Sequence, residues 1–283
     1  MSKLNISVLI LTYNEAINLP DCLSSIAFSD DVLVLDSGSM DATVALAQSS
    51  GATVLHRPFD NYAAQRNFGL AHDFKHDWIL MLDADERIPA DFIEEIRSVT
   101  ELENNPVTLY RMRRQDISMG RWLKRASGYP TWFGRLFRKG QVRVEREINE
   151  EYYTDGEIGL LKGHLIHYPL NKGIEYWLER HNRYSSMEAT KLLNEQMKSL
   201  VWSNFVSKDP MLKRKAFKAF AYRMPFRPLL TFCFLYLVKL GSLEGKAGFH
   251  FSLMRSVYEY MILLKMRELK CAGGQASLVM NDD

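Results

Sequence analysis

The chain has 283 residues, of which 47% are hydrophobic and 25% are charged, an ordinary composition for a globular protein. This balance excludes disorder over most of the length and allows one large domain with an appendage. The three cysteines, Cys22, Cys233 and Cys271, are far apart and lack the CxxC or Cys/His spacing of a zinc site. They predict neither a disulfide framework nor a zinc knuckle, and they fit a reducing cytosol.

Charge is unevenly distributed behind the formal net charge of +2. Residues 198–270 carry 14 Lys and Arg against 4 Asp and Glu, a balance of +10, whereas residues 1–197 carry 22 against 28, a balance of −6. We therefore predict two parts, an acidic body over 1–197 and a basic helical segment over 198–283. Such a segment indicates an anionic partner.

Four short apolar runs rich in Val, Ile and Leu occupy 6–12, 31–37, 52–57 and 78–85, with helix-like stretches between them. Continuous apolar runs of this kind are typical of parallel strands that are buried on both faces. They predict an α/β fold with a mostly parallel sheet flanked by helices. The first run is too short for the apolar region of a signal peptide and no cleavage site follows it, so we interpret it as a strand.

Polar side chains follow three of these strands where each one ends. They are Thr12-Tyr13-Asn14-Glu15 after the first strand, Asp36-Ser37-Gly38-Ser39 after the second, and Asp83-Ala84-Asp85 after the fourth. Ligands of open α/β sheets bind outside the carboxyl ends of the strands, so these groups predict a binding cleft. No GxGxxG follows the first strand and no GxxxxGK[ST] is found, which disfavours dinucleotide and P-loop sites.

The stretch "WILMLDADERI" (78–88) ends a buried strand on three acids, Asp83, Asp85 and Glu86. One interpretation is a solvated strand end, with acids that favour the dipole of the following helix. The other is a metal site, because two carboxylates two residues apart offer hard oxygen ligands to Mg²⁺ or Mn²⁺.

Further along the chain the pattern becomes less regular. "TLYRMRRQDI" (108–117) predicts another strand, residues 131–152 mix strand and loop, and residues 173–197 predict a long helix. The apolar stretch at 228–238 is interrupted by Lys239 and is shorter than the ~18 to 20 residues that a spanning helix needs.

The segment "MLKRKAFKAFAYRMPFR" (211–227) is basic and amphipathic. A helical projection places Phe217, Phe220, Ala221 and Met224 on one side and basic residues around the rest. This pattern favours a helix at an anionic membrane surface, and the alternative is a helix docked on the body with a solvated basic face.

Taken in order, "ISVLILTYNE", "VLVLDSGSMDAT", "AAQRNFGL" and "WILMLDADE" resemble the inverting family 2 glycosyltransferases of GT-A fold. The resemblance covers roughly residues 5–155. "RLFRKG", "INEEY", "HLIHY" and "HNRYSSMEA" are similar to the bacterial branch that adds glucose to the inner core of lipopolysaccharide, the lipopolysaccharide core β-1,4-glucosyltransferases. Processive relatives show QxxRW, and "SMGRW" (118–122) lacks the glutamine, which favours single-sugar addition.

The resemblance implies a role for each matching residue of the donor site. Thr12, Tyr13, Glu15 and Asp36 would hold the uridine, and Arg66 would lie near the diphosphate. Asp83 and Asp85 match the DxD motif, whose carboxylates reach the divalent ion, Mg²⁺ or Mn²⁺, and the donor ribose.

An inverting transfer also needs a general base, and the resemblance implies that Glu150 in "INE" fills this role. Glu147 and Glu151 compete with it, because Asn149 replaces the usual His of the family pattern. Some GT-A enzymes complete the metal site with a later histidine, which makes His167 a candidate ligand. His164 is the other candidate, and a purely structural histidine is the alternative.

We therefore expect a metal-dependent hexosyltransferase that moves a hexose from a UDP-sugar, with UDP-glucose favoured, to a lipid-linked oligosaccharide. Its expected location is cytoplasmic, peripheral on the inner face of the cytoplasmic membrane, and nucleic acid is not an expected partner. The alternatives are another family 2 transferase for a cell-surface polysaccharide or glycolipid, and a non-catalytic membrane-associated scaffold of the same fold. The intact acidic pair disfavours the scaffold.

Overall fold

The first four strands lie where the sequence carries its apolar runs. The computed structural model describes residues 3–145, 151–196, 224 and 226–279. The four predicted strands are confirmed as β1 (Ile6–Thr12), β2 (Asp31–Asp36), β3 (Thr53–His56) and β4 (Trp78–Asp83). They are parallel neighbours in the order β3-β2-β1-β4, so Thr12, Asp36 and Asp83 end at the same edge of the sheet.

The sheet continues beyond β4 with strands that run in both directions. They are β5 (Glu86–Arg87), β6 (Val107–Ser118), β7 (Arg121–Trp122), β8 (Thr131–Arg138), β9 (Arg143–Glu145), β10 (Glu151–Tyr153) and β11 (Glu157–His167). β8 is antiparallel to its neighbours β4 and β6, β11 is parallel to β6, and β5 closes the order β3-β2-β1-β4-β8-β6-β11-β5. β7 pairs with β6, and β9 and β10 form a separate ribbon. The predicted α/β class with a mixed, mostly parallel sheet is confirmed.

Both faces of this sheet are covered, which is why β1, β2 and β4 carry nearly continuous apolar runs. The helices of this unit are α1 (Leu19–Ser25), α2 (Thr43–Ser49), α3 (Tyr62–Leu70) and α4 (Ala90–Thr100). Alternate residues of β4 point to opposite cores, Leu80 and Leu82 to one and Ile79 and Met81 to the other. Gly69 of α3 lies so close to β1 that a Cβ there would come within 2.7 Å of a Leu9 methyl group.

The second unit is helical. It contains α5 (Gly173–Gln196), α6 (Arg227–Cys233), a π-helical turn (Phe234–Val238), a 3-10 turn (Gly241–Glu244) and α7 (Gly245–Val279). α5 and α7 pack through Ala189, Leu192, Ile262 and Met266. The buried carboxylate of Glu244 accepts hydrogen bonds from the backbone amides of Arg125 and Ala126, at 2.7 and 2.9 Å.

The division of the chain falls before α5. One unit comprises Met1–Lys124 and Gly128–Asn171, and the other comprises Arg125–Ser127 and Lys172–Asp283. The predicted boundary at 197/198 rests on the change in charge balance and lies after α5. The division seen here lies before α5, which packs on α7. Most of the predicted amphipathic helix over 211–227 lies outside the described residues, and its membrane or oligomerising role stays a prediction.

The second unit exposes many large apolar side chains. On α7, five of them recur at intervals of three or four residues, which places them on one side of the helix. Within the described residues, no single helix is long and apolar enough to cross a bilayer. Arg227–Val238 and Gly241–Cys271 have sufficient length and apolar content only as a pair, with a 70° bend between them. The exposed side chains are Leu229, Leu230, Phe234, Leu237 and Val238 before the bend and Phe249, Leu253, Val257, Tyr260 and Leu264 on α7.

Candidate active site

The carboxylate of Asp36 organises the turn that follows β2. It is fully buried and accepts hydrogen bonds from the amides of Gly38 and Ser39, at 2.9 and 2.8 Å, and from the hydroxyls of Thr12 (3.0 Å) and Ser39. Burial would raise the pKa of Asp36, but these donors outweigh it and lower the pKa. Gly38 has a φ of +93°, which other residues rarely adopt, so the turn requires this glycine.

The loops after β1 and β2 are tied together by hydrogen bonds. The amide of Asn14 donates to the Ser39 hydroxyl at 2.8 Å, and the amide of Glu15 donates to the Thr43 hydroxyl at 2.7 Å. Tyr13, directly before Asn14 and Glu15, is 42% exposed. The four residues predicted for the uridine therefore meet at one edge of the sheet, where Thr12 and Asp36 fix the loops and Tyr13 faces solvent.

Asp83 lies between two buried arginines. Its Oδ1 is 3.1 Å from Nη1 of Arg66 on α3, and its Oδ2 is 2.7 Å from Nη2 of Arg135 on β8. Burial would raise the pKa of Asp83, but the charges of the two guanidinium groups hold it well below its usual range. The carboxylate is thus ionised and held in position by two guanidinium groups.

Glu86 contacts both Arg135 and the backbone of Asp83. Its side chain is fully buried, its Oε1 is 2.8 Å from Nη2 of Arg135, and its Oε2 accepts from the amide of Asp83 at 3.1 Å. Glu86 is therefore the counter-ion of Arg135 and part of the support of Asp83, and it does not begin a helix, since α4 starts at Ala90. Arg135 was not among the predicted site residues, although the "RLFRKG" segment contains it.

Asp85 lies in the short turn between β4 and β5, beside His167 at the end of β11. Its Oδ2 is 3.3 Å from Nε2 of His167, and Nδ1 of His167 is 2.7 Å from Oδ1 of Asp116 on β6. Burial would lower the pKa of His167, but the charge of Asp85 and the hydrogen bonds to both carboxylates raise it to about 9. Asp116, a second residue that sequence reasoning missed, also accepts from Nε of Arg114 at 2.9 Å.

The Asp85 and His167 side chains would supply two ligands of a divalent-cation site, with the cation replacing the proton that the raised pKa keeps on Nε2 of His167. Their facing atoms are 3.3 Å apart, close to the ~3 Å between adjacent ligands of an octahedral ion with bonds of ~2.1 Å. Asp116 engages the other ring nitrogen, as carboxylates commonly do behind a ligating histidine. Among the described residues no three His, Cys, Asp or Glu side chains form a ready-made site, so water and ligand oxygens would complete the shell.

The remaining predictions concern the general base and the second candidate histidine. Glu150 and its competitor Glu147 lie outside the described residues. Glu151 begins β10, where its Oε2 accepts from the hydroxyl of Tyr153 at 2.6 Å. His164 is separated from Asp85, because it pairs with Arg113 and stacks on Trp122 with ring centroids 5.8 Å apart. Of the two histidines, only His167 lies beside the acidic turn.

The chain matches one family model over more than half of its length. The model is that of glycosyl transferase family 2, and it matches residues 7–162. This range contains every strand of the sheet except Ile6 of β1 and the end of β11, together with Asp36, Arg66, Asp83 and Asp85.

Individual relatives align over nearly the whole chain. The lipopolysaccharide core biosynthesis glycosyltransferase LpsC of Rhizobium meliloti (strain 1021) is 26% identical over 273 residues, 93% of this chain and 92% of the relative. A glycosyltransferase of Rickettsia felis (strain ATCC VR-1525 / URRWXCal2) is 28% identical over 286 residues, 93% of this chain and 89% of the relative.

A solved structure has the same fold. The mannosyltransferase PcManGT from Pyrobaculum calidifontis, in complex with GDP-Man and Mn²⁺, is 14% identical, with a TM-score of 0.53 over 94% of this chain and 88% of that chain. The predicted GT-A type fold is confirmed.

Replacing Arg135 by Met should destabilise the first unit strongly. Glu86 would then lose its buried counter-ion, and Asp83 would lose one of its two arginine partners. Leaving a buried charge unpaired in this way costs about 3 to 5 kcal/mol of folding stability. Urea unfolding, followed by circular dichroism, measures the change. The control is Arg143→Met, which removes an exposed, solvent-screened pair with Glu145 that contributes little to stability. If both variants unfold at the wild-type midpoint, the buried network does not stabilise the fold.

Proposed function

Because the chain belongs to glycosyltransferase family 2, we propose that it transfers glucose from UDP-glucose to a lipid-linked acceptor such as the lipopolysaccharide inner core. The transfer inverts the anomeric configuration and depends on Mg²⁺ or Mn²⁺. The observation that carries the chemistry is the apposition of Asp85 and His167 at 3.3 Å beside the Arg66–Asp83–Arg135 network. The acceptor class is supported by the likeness to LpsC over 93% of the chain.

The donor nucleoside binds at the loops after β1 and β2. Tyr13 offers an exposed aromatic face to the base, and Glu15 offers an acceptor for N–H or hydroxyl donors. Thr12 and the buried carboxylate of Asp36 keep these loops in place, since Asp36 already accepts from its own turn. Holding the loops before the ligand arrives reduces the entropy lost on binding.

The diphosphate binds over Arg66 and Arg135. A guanidinium fork matches phosphate oxygens, and both arginines would keep their pairs with Asp83 while they contact the diphosphate. Asp85 and His167 would hold the divalent ion, which when bound offsets negative charge on the departing nucleotide. Asp116 orients the His167 ring, and Asp83 accepts from the donor ribose while it stays paired with the arginines.

The acceptor hydroxyl loses its proton to a carboxylate as it attacks the anomeric carbon. The new C–O bond forms on the face opposite the bond to the diphosphate, which breaks with its electron pair, so the configuration inverts. We assign the base to Glu150, with Glu147 and Glu151 as competitors, because this acidic segment adjoins β10 on the ribbon next to β8.

The second unit is proposed to lie on the inner face of the cytoplasmic membrane. Two features support this: the +10 balance of residues 198–270 and the row of exposed apolar side chains on α7. A basic segment is attracted to anionic headgroups, and exposed apolar side chains are stabilised when they enter the acyl boundary. Self-association through the same row is the competing role.

Asp85→Ala should strongly reduce metal-dependent donor binding and turnover. Losing one of two protein ligands should weaken Mn²⁺-dependent UDP binding by about 10- to 100-fold in calorimetry. UDP release from UDP-glucose should fall by a similar or larger factor. Asp73→Ala is the control, since Asp73 is 97% exposed and pairs only with a surface lysine in the described part of the chain. Near-normal rates for Asp85→Ala would contradict the metal assignment. In a separate panel of nucleotide sugars, faster turnover of GDP-mannose than of any UDP-sugar would contradict UDP-glucose as the donor.

Glu150→Gln should separate donor binding from transfer. The amide cannot accept the proton of the attacking hydroxyl, so transfer should fall by about 10² to 10⁴-fold while the Kd for UDP stays unchanged. Glu147→Gln and Glu151→Gln are isosteric controls in the same segment. If one of them is inactive and Glu150→Gln is active, the base is reassigned to that position.

Leu253→Glu combined with Val257→Glu should reduce binding to vesicles that contain phosphatidylglycerol. Two charges in the exposed row would oppose insertion by about 2 kcal/mol or more each, so the floated fraction should fall several-fold. Leu102→Glu, at another exposed apolar position, is the control. Unchanged flotation, together with loss of a dimer in analytical ultracentrifugation, would assign the row to self-association.

A further inference from the structure

A cluster of aromatic and basic side chains lies beside the proposed donor site, and the mechanism above does not use it. The ring of Trp122 is stacked on His164 and meets Tyr129 edge to face, with centroids 5.8 and 5.1 Å apart. The guanidinium carbon of Arg113 lies 5.9 Å from the Tyr129 ring centroid and 5.7 Å from that of Trp132. We call these five residues the aromatic cluster.

Two members of the aromatic cluster, Trp132 and Arg113, have few protein contacts suited to their chemistry. Trp132 is 37% exposed on a β-strand, although tryptophan is a costly residue to leave in water. Arg113 has no carboxylate within ion-pair distance among the described residues; its Nε only approaches the carbonyl of Gly163 at 3.5 Å. Aromatic surface and positive charge are therefore both available to a ligand.

The surroundings of the aromatic cluster add positive charge. The ammonium of Lys124 lies 5.3 Å from the Trp122 ring centroid. Burial and the charge of Arg113 lower the pKa of His164, so this ring adds no positive charge at neutral pH and leaves Arg113 and Lys124 as the cations. The indole N–H of Trp122 is buried without an acceptor in the described part of the chain, which is a polar group in need of a partner.

The aromatic cluster is close to the reacting groups. Trp132 and Arg135 are three residues apart on β8, about 10 Å of strand. Tyr110 pairs with Leu136 and Arg111 with Gly134, so Arg135 is the extra residue of a β-bulge and simple alternation does not separate it from Trp132. Arg135 binds Asp83. Trp132 pairs with Arg113, and two residues further along β8 a Cβ at Gly134 would come within 3.3 Å of the Tyr152 ring. Tyr152 belongs to β10, next to the segment that carries the candidate bases.

We propose that the aromatic cluster is the acceptor subsite and that it binds a pyranose ring bearing an anionic group. This inference rests on the proposed function, because it concerns the second substrate of the same reaction. The C–H edges of a pyranose carry a partial positive charge and pack on the negative face of an indole, as Trp132 presents it. Arg113 then pairs with a carboxylate or phosphate on the same ring.

The test uses two probes that differ by one charge, methyl β-glucopyranoside and methyl β-glucuronide. Saturation-transfer NMR titrations with the full chain measure their Kd values without donor or metal. We expect the glucuronide to bind about 5-fold more tightly than the glucoside. Trp132→Ala should weaken both by about 10-fold, and Trp132→Phe should retain most of the affinity.

Arg113→Gln should remove the preference for the glucuronide and leave the glucoside unaffected. Leu160→Ala, which truncates a 60% exposed side chain on β11, is the control for nonspecific apolar contact and should match the wild type. The UDP affinity of each variant, measured with Mn²⁺, verifies that the donor site is folded.

The proposal is overturned if neither probe binds the wild type, if Trp132→Ala binds like Leu160→Ala, or if Arg113→Gln keeps the preference. A wild type that binds the probes through Trp132 but turns over no nucleotide sugar would contradict the proposed function and leave the sugar site standing. The opposite result, turnover without probe binding, would contradict the subsite alone.

Discussion

The buried guanidinium of Arg135 is the interaction on which the rest of the site depends. It lies between Asp83 and Glu86, at 2.7 and 2.8 Å, with only 3% of its side chain exposed. A buried ion of this kind is tolerated only when its partners are ionised and well oriented, so the position of Arg135 constrains both acids. Because Glu86 also accepts from the amide of Asp83, the end of β4 and the start of β5 are held together. That constraint sets where Asp85, in the turn between them, can point.

Strand positions could be predicted from the sequence because burial on both faces leaves continuous apolar runs, and the four strands appear where those runs lie. The meeting of Thr12, Asp36 and Asp83 at one edge also follows from parallel pairing. Arg135 and Asp116 could not be found in the same way. Their partners are 52 and 51 residues away in the chain, and only the order β4-β8-β6-β11 brings them together. The division of the chain before α5 also depends on a contact distant in sequence, the packing of α5 on α7, whereas the predicted boundary at 197/198 follows the charge balance.

The three acids of "WILMLDADERI" differ in role because each has a different neighbour. Asp83 ends a strand between two arginines, Asp85 faces His167 from a turn, and Glu86 is a buried counter-ion. Sequence spacing alone presents them as equivalent oxygen donors. The tertiary partners distinguish them, since Asp83 is engaged by two guanidinium groups whereas Asp85 faces the His167 ring at 3.3 Å.

Alternation along β6 connects the two halves of the proposed chemistry. Asp116 and Arg113 are three residues apart on this strand and so point to opposite faces of the sheet. The Asp116 face carries the His167–Asp85 pair, and the Arg113 face carries the aromatic cluster. In the proposed function, the cation and the anionic sugar would therefore contact opposite sides of this strand and would not compete for the same charges. The transfer itself would take place at the carboxyl edge of the sheet, where Asp83 ends β4.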